Sequence, residues 1–322
     1  MILRRWYRDF LDQLAHLLHS GIPIREALDM LARDARGARG RFATRCRDRV
    51  VQGETLAEAF AGSPEPSPED VALVDAGERS GQLERVLVMM VQRIERTRTL
   101  VLDLLPRITY PLFLFAAASI LLPLPLVVLG RVATYFAIQL CTFGPAVAVA
   151  FVALRFDALF PPGTPLRDSI ERTAARTRWV GTILVDRACG KVFWLLGAMI
   201  QAGIPLSESL GMASRATSVR NVQKAFAAVE PRIREGKNFV EALRADPMFA
   251  AHADWIAQMN VGEHSGTLDD SCQKLGERLE RTAMARLGRG LAVLPYIMIP
   301  MVGAGVLYAG LRVILQVYGG AL

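Results

Sequence analysis

The decapeptide DAGERSGQLE at residues 75–84 returns 185 positions later as NVGEHSGTLD at residues 260–269. At the same offset, RIERT (93–97) meets RLERT (278–282). Upstream, Val50, Gly53, Thr55, Leu56, Glu58 and Ala59 meet Ile233, Gly236, Asn238, Phe239, Glu241 and Ala242 at an offset of 183. Further back, LAHLLHSGIPIREALDMLAR (14–33) meets LGAMIQAGIPLSESLGMASR (196–215) at an offset of 182. A drift of three residues over some 80 positions does not arise by chance. The chain is two copies of one unit.

The unit reads as helical. Leu83, Leu87, Met90, Ile94, Thr97, Val101 and Leu104 recur every three or four positions, which places them on one face of a helix over 82–105. Gly21-Ile22-Pro23 and Gly203-Ile204-Pro205 predict a helix stop followed by a restart, Gly closing one helix and Pro opening the next. Thr55 with Glu58, and Asn238 with Glu241, have the spacing of a capping box. Breaks near residues 21, 37, 53, 64 and 81 divide the copy into six short helices. No stretch sustains period-two alternation, so no sheet is expected.

Composition says where the copies sit. The 322 residues are 52% hydrophobic and 21% charged, with a mean hydropathy of +0.28. Average soluble domains carry about 25% charge and 45–50% apolar residues. The excess is concentrated: only Arg131 is charged between residues 108 and 154, and only Arg312 between 290 and 322. Three uncharged runs of membrane-spanning length follow, 108–130, 132–154 and 290–311. The first two predict a tight hairpin turning at Gly130–Arg131. Prolines interrupt all three, which spanning helices tolerate because neighbours satisfy the freed backbone groups. Flanking Arg93, Arg96, Arg98, Arg107, Arg155, Arg281, Arg286 and Arg289 assign both charged blocks to the cytoplasm. The expected fold is all-α: a polytopic membrane protein with two homologous cytoplasmic helical-bundle lobes and three transmembrane helices. Its divisions are 1–105 (lobe, repeat 1), 106–155 (two-helix hairpin), 156–289 (lobe, repeat 2) and 290–318 (third transmembrane helix).

Net charge is +7 and the pI about 9.6. Acids are nevertheless mixed through both charged blocks, without the clustered basic face that nucleic-acid binding requires. Cys46, Cys141, Cys189 and Cys272 are far apart and form no CxxC pair, so neither a disulfide framework nor a metal cluster is expected. The N-terminal MILRRWYRDF leads into no apolar h-region and predicts no cleaved signal peptide. His16 and His19 are three apart, a metal-ligand spacing, but no neighbouring acid or cysteine in sequence completes a set. No GxSxG, HExxH or GxxxxGK[ST] occurs. The uncharged runs also hold no ionisable group of the kind a transporter or intramembrane protease uses. Neither cofactor nor catalytic or metal site is expected, and a membrane enzyme or transporter is the disfavoured rival class.

The recurring chemistry is Gly-Glu-x-Ser-Gly-x-Leu, carried by Gly77, Glu78, Ser80 and Gly81 and again by Gly262, Glu263, Ser265 and Gly266. One reading is a helix–helix corner. Gly81 and Gly266 take backbone angles that a Cβ resists, the serines cap, and the glutamates satisfy nearby amides. The other reading makes these eight residues candidate partner contacts.

Together the duplicated Gly-Ile-Pro and Gly-Glu-x-Ser-Gly-x-Leu motifs, the Tyr110-Pro111 entering the first run, and the order lobe, span, span, lobe, span resemble the type II secretion F-protein family. That family also includes the inner-membrane platform proteins of type IV pili. The resemblance covers residues from about 8 to about 317. It implies a non-enzymatic inner-membrane platform, with both lobes cytoplasmic and the C-terminus on the far side. Such a platform couples a cytoplasmic hexameric assembly ATPase to assembly of pilin or pseudopilin subunits, alongside other inner-membrane assembly proteins and as a homo-oligomer. The family usually carries a further segment before the first repeat, and this chain begins almost at that repeat. A passive membrane scaffold without ATPase coupling is the alternative.

Overall fold

The computed structural model describes residues 5–34, 36–121, 132–154, 178–217 and 219–318, together with 123, 124, 127 and 130. The regular structure of these residues is all helix, and none of them lies in a strand. Repeat 1 comprises α1 (Arg5–His19), α2 (Ile24–Asp34), α3 (Gly37–Val51), α4 (Leu56–Ala61), α5 (Pro68–Ser80) and the start of α6 (Leu83–Leu121). Helix α7 (Val132–Leu154) follows. Repeat 2 comprises α8 (Arg178–Gln201), α9 (Leu206–Arg215), α10 (Arg220–Arg234), α11 (Phe239–Arg244), α12 (Pro247–Ala250), α13 (Ala253–Ser265) and the start of α14 (Leu268–Tyr318).

The drifting offset now has a physical location. Helix α2 starts 182 residues before α9, α3 and α4 start 183 before α10 and α11, and α5 and α6 start 185 before α13 and α14. The extra residues fall in two connections, between α9 and α10 and between α11 and α13. The second of these winds into the one-turn helix α12, opened by Asp246, whose carboxylate accepts from the Met248 amide. Insertions in connections leave the packed helices in register, which is why loops absorb them. Among the described residues repeat 1 has the six expected helices and repeat 2 the same six plus α12, while 156–177 of the expected second lobe lie outside the described residues.

The chain forms two compact units. One contains Met1–Leu100 and Thr177–Ala283, and the other contains Val101–Arg176 and Met284–Leu322. In the first, both repeats are built on aromatic cores. Phe42 lies 4.9 Å from Phe10 and 5.4 Å from Phe60 between ring centres, edge to face or nearly so. Phe193, Phe226, Phe249 and Trp255 do the same in repeat 2. Edge-to-face rings at this spacing add to their area burial. The expected face of α6 is inward as far as Thr97, with Leu87 and Met90 buried and Leu83, Ile94 and Thr97 partly so; the side chains of Val101 and Leu104 lie outside the described ones.

In the second unit, Gly130 turns with φ +75° at the expected hairpin position, and the Gln139 side-chain amide of α7 donates to the Ser119 carbonyl of α6 at 2.8 Å. Among the described residues no helix is long and apolar enough to cross a membrane. The three expected transmembrane helices are thus not confirmed. In the first run the described helix α6 covers 108–121, and residues 122, 125, 126, 128 and 129 of that expected span lie outside the described residues. The other two runs lie whole within α7 and α14.

Candidate functional site

Helix α5 ends in the first motif. Gly81 takes φ +69°, its amide reaches the Glu78 carbonyl, and the Gln82 amide reaches the Gly77 carbonyl at 2.9 Å. This left-handed closure satisfies carbonyls that a helix end otherwise leaves open. Gly266 does the same for α13 at φ +70°, with the Thr267 amide on the Gly262 carbonyl. Gly77 is needed for a different reason: a Cβ there would stand 3.0 Å from Leu83 Cα and 3.1 Å from a Val86 methyl. At Gly262 the Cβ would run into the Ser271 side chain. Both glycines let the next long helix pass close by.

Glu78 points back across the repeat. Its two carboxylate oxygens accept the amides of Leu56 at 2.7 Å and Ala57 at 2.9 Å, the first two N–H groups of α4. The third is taken by Thr55 Oγ1, which accepts from Glu58 while the Glu58 carboxylate accepts from the Thr55 amide, a complete capping box. Helix α4 has six residues and could not hold itself in water. The Glu78 charge also lies at the positive end of its dipole. Glu263 repeats the arrangement, accepting from Phe239 at 2.5 Å and Val240 at 3.2 Å.

Two expectations need correction. Asn238 is the N-cap of α11 but makes no side-chain cap bond, so its spacing to Glu241 is not a capping box; Glu263 supplies the carboxylate instead. The serines do not cap the next helix either. Ser80 donates back to the Gly77 carbonyl, and Ser265 to the Val261 carbonyl. A hydroxyl one turn past a free carbonyl is satisfied locally before it can reach a following helix.

His16 and His19 do not form a metal pair. His16 lies 3.8 Å from Asp12, while His19 bonds Glu84 at 2.7 Å, and both are largely exposed. Among the described residues no group of three or more metal-ligating side chains occurs. Burial pushes the Cys46 thiol up to about 12 and raises Cys189 and Cys272 as well, so these three are packing residues rather than nucleophiles.

One further cluster, invisible in local sequence order, lies at the seam between repeats. Glu69 of α5 is 9% exposed, bonded to Lys191 of α8 at 2.7 Å and to Arg93 of α6 at 3.0 Å. The Arg93 guanidinium lies 4.3 Å from the centre of the Trp194 ring. Burial alone would raise the Glu69 pKa, but the charges of Arg93 and then Lys191 outweigh it and hold it below the usual range. Lys191 is 122 residues from Glu69, and no local pattern links them. Arg93, Arg96 and Trp194 line a cavity of about 360 Å³ with Gln92 and Gln273; Arg96 pairs there with Glu277.

Two copies of one helical unit, each closed by the same carboxylate-to-backbone corner, define a duplicated, helical architecture. The profile of the family described as "Type II secretion system (T2SS), protein F" matches twice, at residues 10–130 and 195–315. The chain belongs to that family. It is a structural component of secretion or pilus-assembly machinery and not an enzyme. It is 25% identical to the type IV pilus assembly protein PilC of Pseudomonas aeruginosa, over 94% of this chain and 86% of that protein. Identity with the type II secretion system protein F of the same organism is 26%, over 95% of this chain and 80% of that protein. For the type IV pilus assembly protein PilC of Thermus thermophilus it is 26%, over 94% and 80%.

Proposed function

We propose that this protein is the inner-membrane platform of a type II secretion or type IV pilus machine, coupling a cytoplasmic assembly ATPase to the assembly of pilin or pseudopilin subunits. The observation that carries the reading is the duplicated corner: each ends a short helix and starts a long one. Helices α6 and α14, of 39 and 51 residues, begin two residues after Gly81 and Gly266 and contain uncharged runs farther along. A helix continuous in sequence can carry displacement where a loop cannot.

The three-span topology belongs to this proposal, with divisions at 1–105, 106–155, 156–289 and 290–318 and both lobes cytoplasmic. Its support lies in the sequence, where the runs 108–130, 132–154 and 290–311 hold no formally charged side chain and have the length that a hydrocarbon core about 30 Å thick demands. Among the motif residues, the surface-lying Gly81, Ser265 and Gly266, with the half-buried Ser80, are those proposed to reach a partner. Gly77, Glu78, Gly262 and Glu263 hold the corner itself.

Purification of the tagged protein from its native membrane in gentle detergent, followed by mass spectrometry, tests the reading. Recovery of a secretion-type ATPase with pilin-like subunits is expected. Recovery of this chain alone, under conditions that keep other membrane complexes whole, would favour the passive scaffold.

A further inference from the structure

Within the first unit the two repeats meet head to tail. Repeat 1 offers one face of α5, carrying Glu69, Ala72, Ala76 and Arg79. Repeat 2 receives it on α8 and α9. Ala76 is fully buried, Arg79 pairs with Glu208, and Ala72 lines a cavity of about 390 Å³ with Met212 and Arg215.

The same face recurs on α13, 185 residues later, as Asp254, Ala257, Val261 and His264. There it is bare: Val261, in the place of buried Ala76, is 67% exposed, and Ala257 is exposed too. The receiving surface recurs 182 residues earlier as Glu26, Met30 and Arg33. It is also bare, with Met30 44% exposed and the Arg33 side chain 75% exposed. One contact is made, and its two unmatched halves remain. That is the property of a heterologous interface, which propagates from subunit to subunit until it closes or runs on.

We propose that a second copy of this chain docks the α13 face of its repeat 2 on α1 and α2 of repeat 1, repeating between molecules the contact that α5 makes within one. The substitutions across the two surfaces are complementary. Arg93 over Trp194 becomes Arg278 against Asp12, a cation and an indole replaced by a cation and a carboxylate. Arg79 with Glu208 becomes His264 with Glu26, and the apolar contact at Met212 becomes Met30 against Ala257 and Val261. One like-charge match arises, Asp254 facing Asp9 where Glu69 meets Lys191. Each of these carboxylates already holds an arginine of its own repeat, Arg278 at 2.8 Å and Arg8 at 2.9 Å.

The test uses the full chain in native membranes, with Cys141→Ser removing the exposed thiol. Met30→Cys and Ala257→Cys are placed on separate, differently tagged copies, because their equivalents, Met212 and Ala72, line one cavity. Mild oxidation is expected to give a disulfide between the two tagged chains, and none when either variant is expressed alone. Self-linking of the Ala257→Cys chain would mean a two-fold contact and would overturn the proposal, as would no disulfide in the mixture. As a second readout, Val261→Asp, on an exposed position, is expected to weaken self-association at least tenfold by analytical ultracentrifugation while leaving Tm unchanged. Undiminished self-association overturns the assignment. Both experiments read only chain-to-chain contact, so their failure leaves the secretion-machine reading intact.

Discussion

Glu78 and Glu263 are the residues on which each repeat's short fourth helix depends. Hydrogen bonds to a charged acceptor are worth about 1.5–3 kcal/mol each, and an amide left unpaired costs a comparable amount. Replacing Glu78 with Ala strands the Leu56 and Ala57 amides, which Thr55 cannot reach because it already holds the amide of Glu58. The expected loss is about 3 kcal/mol, read as a lowered Tm of the detergent-solubilised chain. Glu78→Gln keeps one acceptor oxygen and should fall between. Equal losses for Ala and Gln would show that the negative charge, rather than the pair of acceptor positions, is what α4 needs. The motif was visible in the sequence because it occurs twice, and the positive-φ role of Gly81 followed from the lack of a Cβ. The amides that the carboxylate serves were not visible, because they lie 21 and 22 residues upstream.

At the scale of elements, the seam of α5 with α6 and α8 turns on Glu69. Its folded pKa is depressed, so its contribution is full above the unfolded value of about 4.3 and is lost as pH falls through the folded value. Neighbouring Asp70 runs the other way. Burial raises its pKa despite the Ser67 hydrogen bonds, so its effect on stability improves as it takes up a proton. Comparison with Glu69→Gln isolates the first group. The variant leaves Arg93 and Lys191 without their shared carboxylate, and breaking a buried pair costs about 3–5 kcal/mol. Lys191 is 34% exposed at its side chain and regains water, which places the loss at the lower end, about 3 kcal/mol at pH 7. The gap between wild type and variant should close as pH falls through the depressed folded value of Glu69 and its carboxyl becomes neutral. A gap independent of pH would mean that the side chain acts by packing alone. Helix boundaries were legible from glycine, proline and apolar spacing, since those act within a few residues. Glu69–Lys191 was not, since tertiary pairing leaves no trace in local order, and Asn238 misled because a cap-forming residue at the right spacing is no proof of a bond.

For the whole molecule, the decisive question is whether motion in the lobes reaches the rest of the chain through α6. The helix is one element from Leu83 to Leu121, and inside the first unit its apolar face is anchored by Val86, Leu87 and Met90, all buried. Substituting Gly-Pro at Glu95–Arg96, beyond that anchor, removes a backbone donor and costs about 3 kcal/mol or more locally by breaking the helix. The repeat-1 core does not include those two residues, so repeat 1 should keep its fold and the chain should still insert, with loss of the Arg96–Glu277 and Glu95–Arg8 pairs. Filament or pseudopilus assembly should nevertheless fall to the level of a deletion strain. Membrane fractionation and surface-filament counts on the same cells separate the two effects. Insertion with normal filament numbers would reject transmission through α6 while leaving family membership untouched. A thiol probe addresses the proposed topology independently. Cys141 is exposed on α7, whereas Cys46, Cys189 and Cys272 are buried. If 132–154 lies in the bilayer, a charged, water-soluble methanethiosulfonate should label none of the four cysteines in intact vesicles and all four after denaturation. Rapid labelling of Cys141 in intact vesicles would place α7 in water and remove the second span from the proposal.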